Sequence, residues 1–171
     1  MKTQEFSHQA KDGKSIHVYR WSPDRAPKAL VLIAHGMGEH AGRYARAAAT
    51  LCESGYDVWA PDHRGHGKTA SEDELGWFAS KDGFTLVMED LYGLSVRMKA
   101  EHPGLPVFLF GHSMGSFLAQ GFISRYGDSL AGCVLSGTAG PMGPIRPIGG
   151  LSPWPAASFM VKSERRRSWT N

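Results

Sequence analysis

The sequence predicts an α/β fold in which a mainly parallel sheet is flanked by helices. Continuous apolar runs recur along the chain, as expected of central strands that are covered on both faces. Between these runs, apolar residues recur with a helical period, and short crossovers of this kind produce a parallel sheet. The 171 residues, 42% of them hydrophobic, are enough for one domain with a sizeable core.

The strands are predicted in chain order. Ser15 to Trp21 alternates apolar and polar residues, which is typical of an antiparallel strand with one solvated face. Asp12-Gly13 indicates a hairpin turn before it, and therefore a leading strand. Buried strands are predicted at Ala29 to Ala34, Asp57 to Ala60, Val107 to Phe110 and Leu130 to Leu135. The sheet is thus expected to have about six strands.

Three helices are predicted between these strands, at Tyr44 to Cys52, Phe84 to Met98 and Met114 to Phe122. Beyond about Thr138 the pattern changes, because residues 139–171 hold five of the ten prolines and no sustained period. We therefore expect residues 1–138 to form the core and residues 139–171 to form an irregular tail, with a short helix near Ala156 to Val161.

Composition excludes several classes of function. The net charge is only +3 and the basic residues are dispersed, apart from Lys162 and Arg165 to Arg167, which argues against a nucleic-acid partner. No segment approaches the roughly 18 apolar residues of a transmembrane span, and Met1 to Ala10 is not a secretory signal, so a cytoplasmic location is the default expectation. Cys52 and Cys133 are interpreted as small core residues.

Gly111-His112-Ser113-Met114-Gly115 is the pattern of a nucleophile elbow. It directly follows a predicted strand and opens a predicted helix, which is the context that such an elbow requires. Glycines on both sides permit a strained turn, so that the hydroxyl projects at the helix N-terminus. Ser113 is therefore the candidate nucleophile. The alternative is an incidental serine in a glycine-rich turn.

The segment His35 to His40 follows a predicted strand and could supply an oxyanion hole. Such a hole takes one backbone N–H from the residue after the nucleophile and one from this loop. The donors would be the main-chain N–H groups of Met114 and Met37. The alternative is a plain loop from strand to helix, with glycines for clearance.

The segment Asp62 to Gly67 contains an aspartate and two histidines, a composition that could serve a metal or acid/base site. We favour a structural loop, because such residues after a strand usually hydrogen-bond one another and the backbone. His35 and His40 are likewise expected to pack and hydrogen-bond in their loop, and His112 is expected to point away from Ser113.

Three motifs in this order and spacing resemble the monoacylglycerol lipase and lysophospholipase branch of the α/β-hydrolases, of the serine aminopeptidase S33 type. They are HGMGEHAGRY at 35–44, PDHRGHG at 61–67 and GHSMG at 111–115. The resemblance covers residues 5–138, about the first half of that family's domain. It implies the α/β-hydrolase fold, Ser113 as nucleophile, the Met37 and Met114 amides as oxyanion hole, and a lipid-like acyl ester as substrate. It implies no cofactor and no metal.

The usual order of the triad is Ser, then Asp or Glu, then His, and no histidine follows Ser113. Asp128 would lie at the far end of the elbow helix, about 20 Å along its axis, and so cannot orient a base beside Ser113. A chain without base and acid is expected to be weakly active or inactive. The strand at Leu130 to Leu135 is expected at an unprotected edge, which a partner chain could cover.

The sequence thus favours a serine ester hydrolase by family, represented by a chain that lacks the acid and base. The alternative is a catalytically dead truncated or frameshifted product, or a binding module that keeps the scaffold. Complementation by a second chain and a peptidase activity also stay open.

Overall fold

The computed structural model describes residues 1–140 and 159–162, and its sheet has the strand order β1-β2-β4-β3-β5-β6-β7. The strands are β1 (Lys2–Gln9), β2 (Ser15–Ser22), β3 (Ala29–Ala34), β4 (Tyr56–Pro61), β5 (Val107–His112), β6 (Gly132–Ser136) and β7 (Phe159–Lys162). Strands β4, β3, β5 and β6 run parallel, whereas the β1–β2 hairpin is antiparallel and joins β4 antiparallel. The predicted mainly parallel sheet is confirmed.

Three helices cover the sheet: α1 (Ala45–Glu53), α2 (Gly83–Glu101) and α3 (Met114–Tyr126). All six residues of β3 are buried. Leu30 and Leu32 pack in the core under α2 and α3, and Val31 and Ile33 pack on the opposite face in the core under α1. A central strand buried on both faces reads as a continuous apolar run, which is why the sequence located β3 with its observed bounds.

The edge of the sheet beyond β6 differs from the prediction. Strand β7 pairs antiparallel with β6, with Gly132 opposite Lys162 and Leu135 opposite Phe159. The expected unprotected edge at Leu130 to Leu135 is therefore wrong, and with it the premise for a covering partner chain. The short helix predicted near Ala156 to Val161 is also wrong where it overlaps β7. A segment with only three consecutive apolar residues, Phe159 to Val161, cannot by itself distinguish helix from strand, and here the free backbone groups of β6 favour pairing.

Within the tail at 139–171, the structure describes only Ala139, Gly140 and β7. Within the described part, no helix is long and apolar enough to cross a membrane. Both cysteines are free and buried, as predicted. Burial raises the pKa of the Cys52 thiol to about 11 and that of Cys133 to about 12, so neither is a reactive thiolate.

Candidate active site

The parallel pairing of β3 and β5 brings the two candidate segments together. Ala34 is opposite Gly111 in the register, so both strands end at the same edge of the sheet. The loop after β3 and the turn after β5 therefore start side by side. The carboxyl ends of parallel strands are the usual location of ligand sites in open α/β sheets.

Ser113 stands alone between β5 and α3. Its backbone has φ 51° and ψ −116°, and within residues 1–140 only Asp82 is another non-glycine residue with positive φ. Its side chain is exposed, and its N–H donates to the Ser136 carbonyl at 2.8 Å. A serine held in this sparsely populated conformation stores strain, which is typical of functional positions.

The strained turn needs glycine at positions 111 and 115, on either side of Ser113, because there is no room for a side chain at either position. A Cβ on Gly111 would lie 2.4 Å from the Gly115 carbonyl oxygen, and a Cβ on Gly115 would lie 2.0 Å from the Ala34 carbonyl oxygen. The helix α3 thus starts against the backbone of two strands. Ser113 lies in the turn between these two close contacts and is exposed.

The loop after β3 lies against the elbow. A Cβ on Gly36 would lie 3.2 Å from the Cβ of Ser113, so glycine lets the two segments approach. Within residues 1–140, the N–H of Met37 has no hydrogen-bond acceptor, and the Met37 side chain is exposed. Met114 is the first residue of α3, where N–H groups have no partner inside the helix. Unpaired N–H groups at the N-terminus of a helix, such as that of Met114, favour the binding of negative charge.

Glu39 fixes one side of this loop, a role that was not predicted from the sequence motif. Its Oε1 accepts the Gly36 N–H at 2.5 Å and the Tyr44 hydroxyl at 2.7 Å. Burial alone would raise the pKa of Glu39, but these two hydrogen bonds outweigh it and hold the pKa below its usual range. The sequence signal was a carboxylate three residues after a glycine in a loop with unpaired amides.

His35 fixes the other side. Its Nδ1 lies 2.7 Å from the Gly36 carbonyl oxygen, and its Nε2 accepts the His63 N–H at 3.0 Å. The ring is fully buried, and burial lowers the pKa of His35 to about 4. His35 is therefore neutral at neutral pH and packs and hydrogen-bonds, as expected from the sequence.

The hydrogen bonds of the segment 62–67 support a structural role. The carboxylate of Asp62 accepts the N–H groups of Ala41 and Lys68, both at 2.7 Å. Arg64 is bound by Asp90 at 2.7 Å and by Asp12 at 2.5 Å. These contacts occupy the charged groups that a metal or acid/base site would need, and residues 1–140 contain no cluster of His, Cys, Asp and Glu that could hold a metal ion.

The remaining predicted residues lie away from the nucleophile. The ring of His112 turns onto β6, with Nδ1 3.2 Å from the Ser136 hydroxyl, so it points away from Ser113 as expected. His40 lies over Gly42. Asp128 follows the far end of α3, in the short turn Gly127–Ser129. Within residues 1–140, no side chain is hydrogen-bonded to Ser113 Oγ.

Comparison with known proteins assigns the family. The model of the serine aminopeptidase S33 family matches residues 25–168. The chain belongs to this family. The S33 match and the confirmed sheet agree with the resemblance of the three motifs.

Two relatives match over less than half of their own length. Human monoglyceride lipase is 35% identical over 150 residues, which cover 88% of this chain and 45% of the human protein. The monoacylglycerol lipase of Mycolicibacterium smegmatis is 37% identical over 119 residues, which cover 70% of this chain and 41% of that protein. The chain therefore spans less than half the length of these relatives.

Solved structures agree on the fold. A thermostable carboxyl esterase from Bacillus coagulans superposes with a TM-score of 0.74 and 38% identity, covering 82% of this chain and 46% of the esterase. A soluble variant of the Saccharomyces cerevisiae monoglyceride lipase has a TM-score of 0.66 at 23% identity, covering 78% of this chain and 43% of that one, which supports the fold alone. The fold is the N-terminal portion of an α/β-hydrolase.

Proposed function

We propose that this chain carries the nucleophile and the oxyanion hole of a serine ester hydrolase that acts on monoacylglycerol-like acyl esters. The observation that carries the proposal is the strained, exposed Ser113 at φ 51°, in contact with the loop that presents Met37. The substrate class rests on the relatives, whose names are those of monoacylglycerol lipases and an esterase.

In the proposed reaction, Ser113 Oγ attacks the ester carbonyl carbon as its proton leaves to a base. The carbonyl oxygen becomes an oxyanion, which accepts hydrogen bonds from the N–H groups of Met37 and Met114. Collapse of this intermediate breaks the bond to the alcohol, which leaves with a proton. Water then hydrolyses the acyl-serine by the same sequence of steps and restores Ser113.

The lack of a histidine base beside Ser113 limits the rate of the proposed reaction. No histidine follows Ser113, and His35 and His112 are engaged with Gly36 and Ser136. We therefore expect this chain alone to be weakly active. The oxyanion hole and substrate binding without the triad retain roughly 10³ to 10⁴ of the acceleration over water in well-characterised serine proteases.

Labelling by a fluorophosphonate probe, read by intact mass, tests the proposal. The purified chain should gain one phosphonyl group, Ser113→Ala should gain none, and Ser129→Ala should be labelled at the wild-type rate, since Ser129 lies beyond the far end of α3. Equal labelling of wild type and Ser113→Ala would contradict the assignment of the nucleophile. A folded chain that is never labelled would favour the alternative, a scaffold without catalytic function.

Substrate class needs a second assay with the same variants. The chain that reacts with the probe should be assayed with a monoacylglycerol, as the ester substrate, and with an amino-acid amide, as the peptidase substrate. Release of fatty acid, lost in Ser113→Ala, is the expected result. Release of the amine alone would favour a peptidase activity instead.

A further inference from the structure

The direction of the Met37 N–H depends on one peptide group. This N–H shares its peptide plane with the Gly36 carbonyl, and residues 1–140 contain no cis peptide bond. In a trans peptide the C=O and the following N–H point in opposite directions. Whatever holds the Gly36 carbonyl therefore also aims the Met37 N–H.

We propose that His35 is a positioning residue that orients the Met37 N–H for oxyanion binding, an inference that rests on the proposed function. Its Nδ1–H donates to the Gly36 carbonyl at 2.7 Å, on the side of the peptide opposite to the Met37 N–H. His35 touches no reacting atom. It acts through the peptide between Gly36 and Met37.

The surroundings of His35 define its tautomer. Because Nε2 accepts the His63 N–H at 3.0 Å, this nitrogen carries no proton, and Nδ1 must carry it. The ring is fully buried, 4.1 Å from the ring of His63 and 5.3 Å from that of His66 by centroids. A rotated ring would lose both hydrogen bonds in a buried site, so the donor is held in place.

The other peptide of Gly36 is fixed independently. Glu39 accepts the Gly36 N–H, so the two peptide planes that flank Gly36 are each held by a side chain. Within residues 1–140 the Met37 N–H has no acceptor that competes for its direction. A donor oriented before substrate arrives needs no reorganisation during the reaction, and the loss of one oxyanion-hole donor lowers kcat about 10²- to 10³-fold in a serine protease.

Two substitutions separate the two hydrogen bonds of His35. In His35→Asn the side-chain amide stands near the Nδ1 position and can still donate to Gly36, but the acceptor for His63 is lost. In His35→Gln the terminal oxygen stands near the Nε2 position and can still accept from His63, but the donor to Gly36 is lost. His66→Gln is the matched control, since His66 is also buried but its Nδ1 contacts the Arg64 carbonyl at 2.9 Å.

The first readout is the rate of phosphonylation of Ser113 by the fluorophosphonate probe in the full chain. We expect His35→Gln to be about 10- to 100-fold slower, and His35→Asn and His66→Gln to remain within about threefold of wild type. A merely structural role would lower the rate in proportion to lost stability in both His35 variants. Equal rates for His35→Asn and His35→Gln would overturn the proposal.

The second readout does not depend on activity. The ¹H–¹⁵N resonance of the Met37 amide should move in His35→Gln and stay near its wild-type position in His35→Asn. A long-range ¹H–¹⁵N spectrum of the wild type should show the His35 proton on Nδ1, a test that needs no variant to fold. A proton on Nε2, or a Met37 resonance unchanged in His35→Gln, would refute the positioning role. If the wild type is never labelled but these spectra agree, the proposed function fails and the positioning of Met37 stands.

Discussion

A Cβ atom on Gly115 would lie 2.0 Å from the carbonyl oxygen of Ala34. The first turn of α3 therefore rests on the backbone of β3, with no room for a side chain between them. This contact places the elbow beside the loop that starts at His35. It also explains why the glycine at this position is a packing requirement rather than a source of flexibility, since the contact atom is backbone and cannot move aside.

Gly115→Ala should destabilise the chain strongly, because either α3 or β3 must shift. We expect a loss of about 3 kcal/mol or more in the free energy of unfolding, measured by urea denaturation. Gly140→Ala is the control, because a Cβ there meets nothing within 4 Å, and it should change stability by less than about 0.5 kcal/mol. A similar, small effect of both substitutions would mean that α3 does not pack against β3 as described.

Ser113→Gly should be more stable than Ser113→Ala. Both variants remove the hydroxyl, but only glycine adopts φ 51° with ψ −116° without strain. We expect a difference of about 1 kcal/mol in thermal or urea unfolding, after the greater unfolded-state entropy of glycine is offset. Equal stabilities would indicate an unstrained backbone at Ser113.

The ion pairs of Arg64 should contribute unequally. Asp90 is 6% exposed in its contact with Arg64, whereas Asp12 is 40% exposed. Asp90→Asn leaves a buried guanidinium without its buried partner and should cost about 3 kcal/mol in the free energy of unfolding. Asp12→Asn should cost less than about 1 kcal/mol, because water screens that pair. Equal losses in urea titrations would contradict the difference in burial.

Stability should fall as the pH falls from about 6.5 towards 4. Burial lowers the pKa of His35 to about 4 in the folded chain, whereas the unfolded chain takes up the proton at the ordinary value of 6.5. Between these values the unfolded state binds more protons, so stability is full above pH 6.5 and decreases by about 1.4 kcal/mol per pH unit for this residue. His63, whose pKa burial lowers well below 6.5, acts in the same direction.

The contribution of His35 can be isolated with His35→Asn. The free energy of unfolding of both proteins should be measured with urea from pH 7.5 to 4.5. It should depend less steeply on pH in the variant, by the equivalent of about one bound proton. Identical slopes would mean that the pKa of His35 is the same in the folded and the unfolded chain, and would contradict its burial as a neutral ring.

Sequence pattern predicted those elements whose signal is local. Strand β3 was located with its observed bounds, because a strand covered on both faces is apolar at every position. The elbow was predicted at Ser113 because glycine spacing, the preceding strand and the following helix occur together in the chain. The predicted roles of Ser113, Met37 and Met114 in catalysis remain predictions.

Pairing of β7 with β6 and the roles of His35 and Glu39 were decided by tertiary structure. A short apolar segment such as β7 acquires its conformation from the backbone groups that it meets, and its antiparallel register with Gly132 is a long-range contact. Likewise, the sequence places His35 and Glu39 next to Gly36 but does not say which peptide group each of them holds. Hydrogen bonds are set by direction and distance in space, and those follow only once β3, β4 and β5 have fixed the loops that connect them.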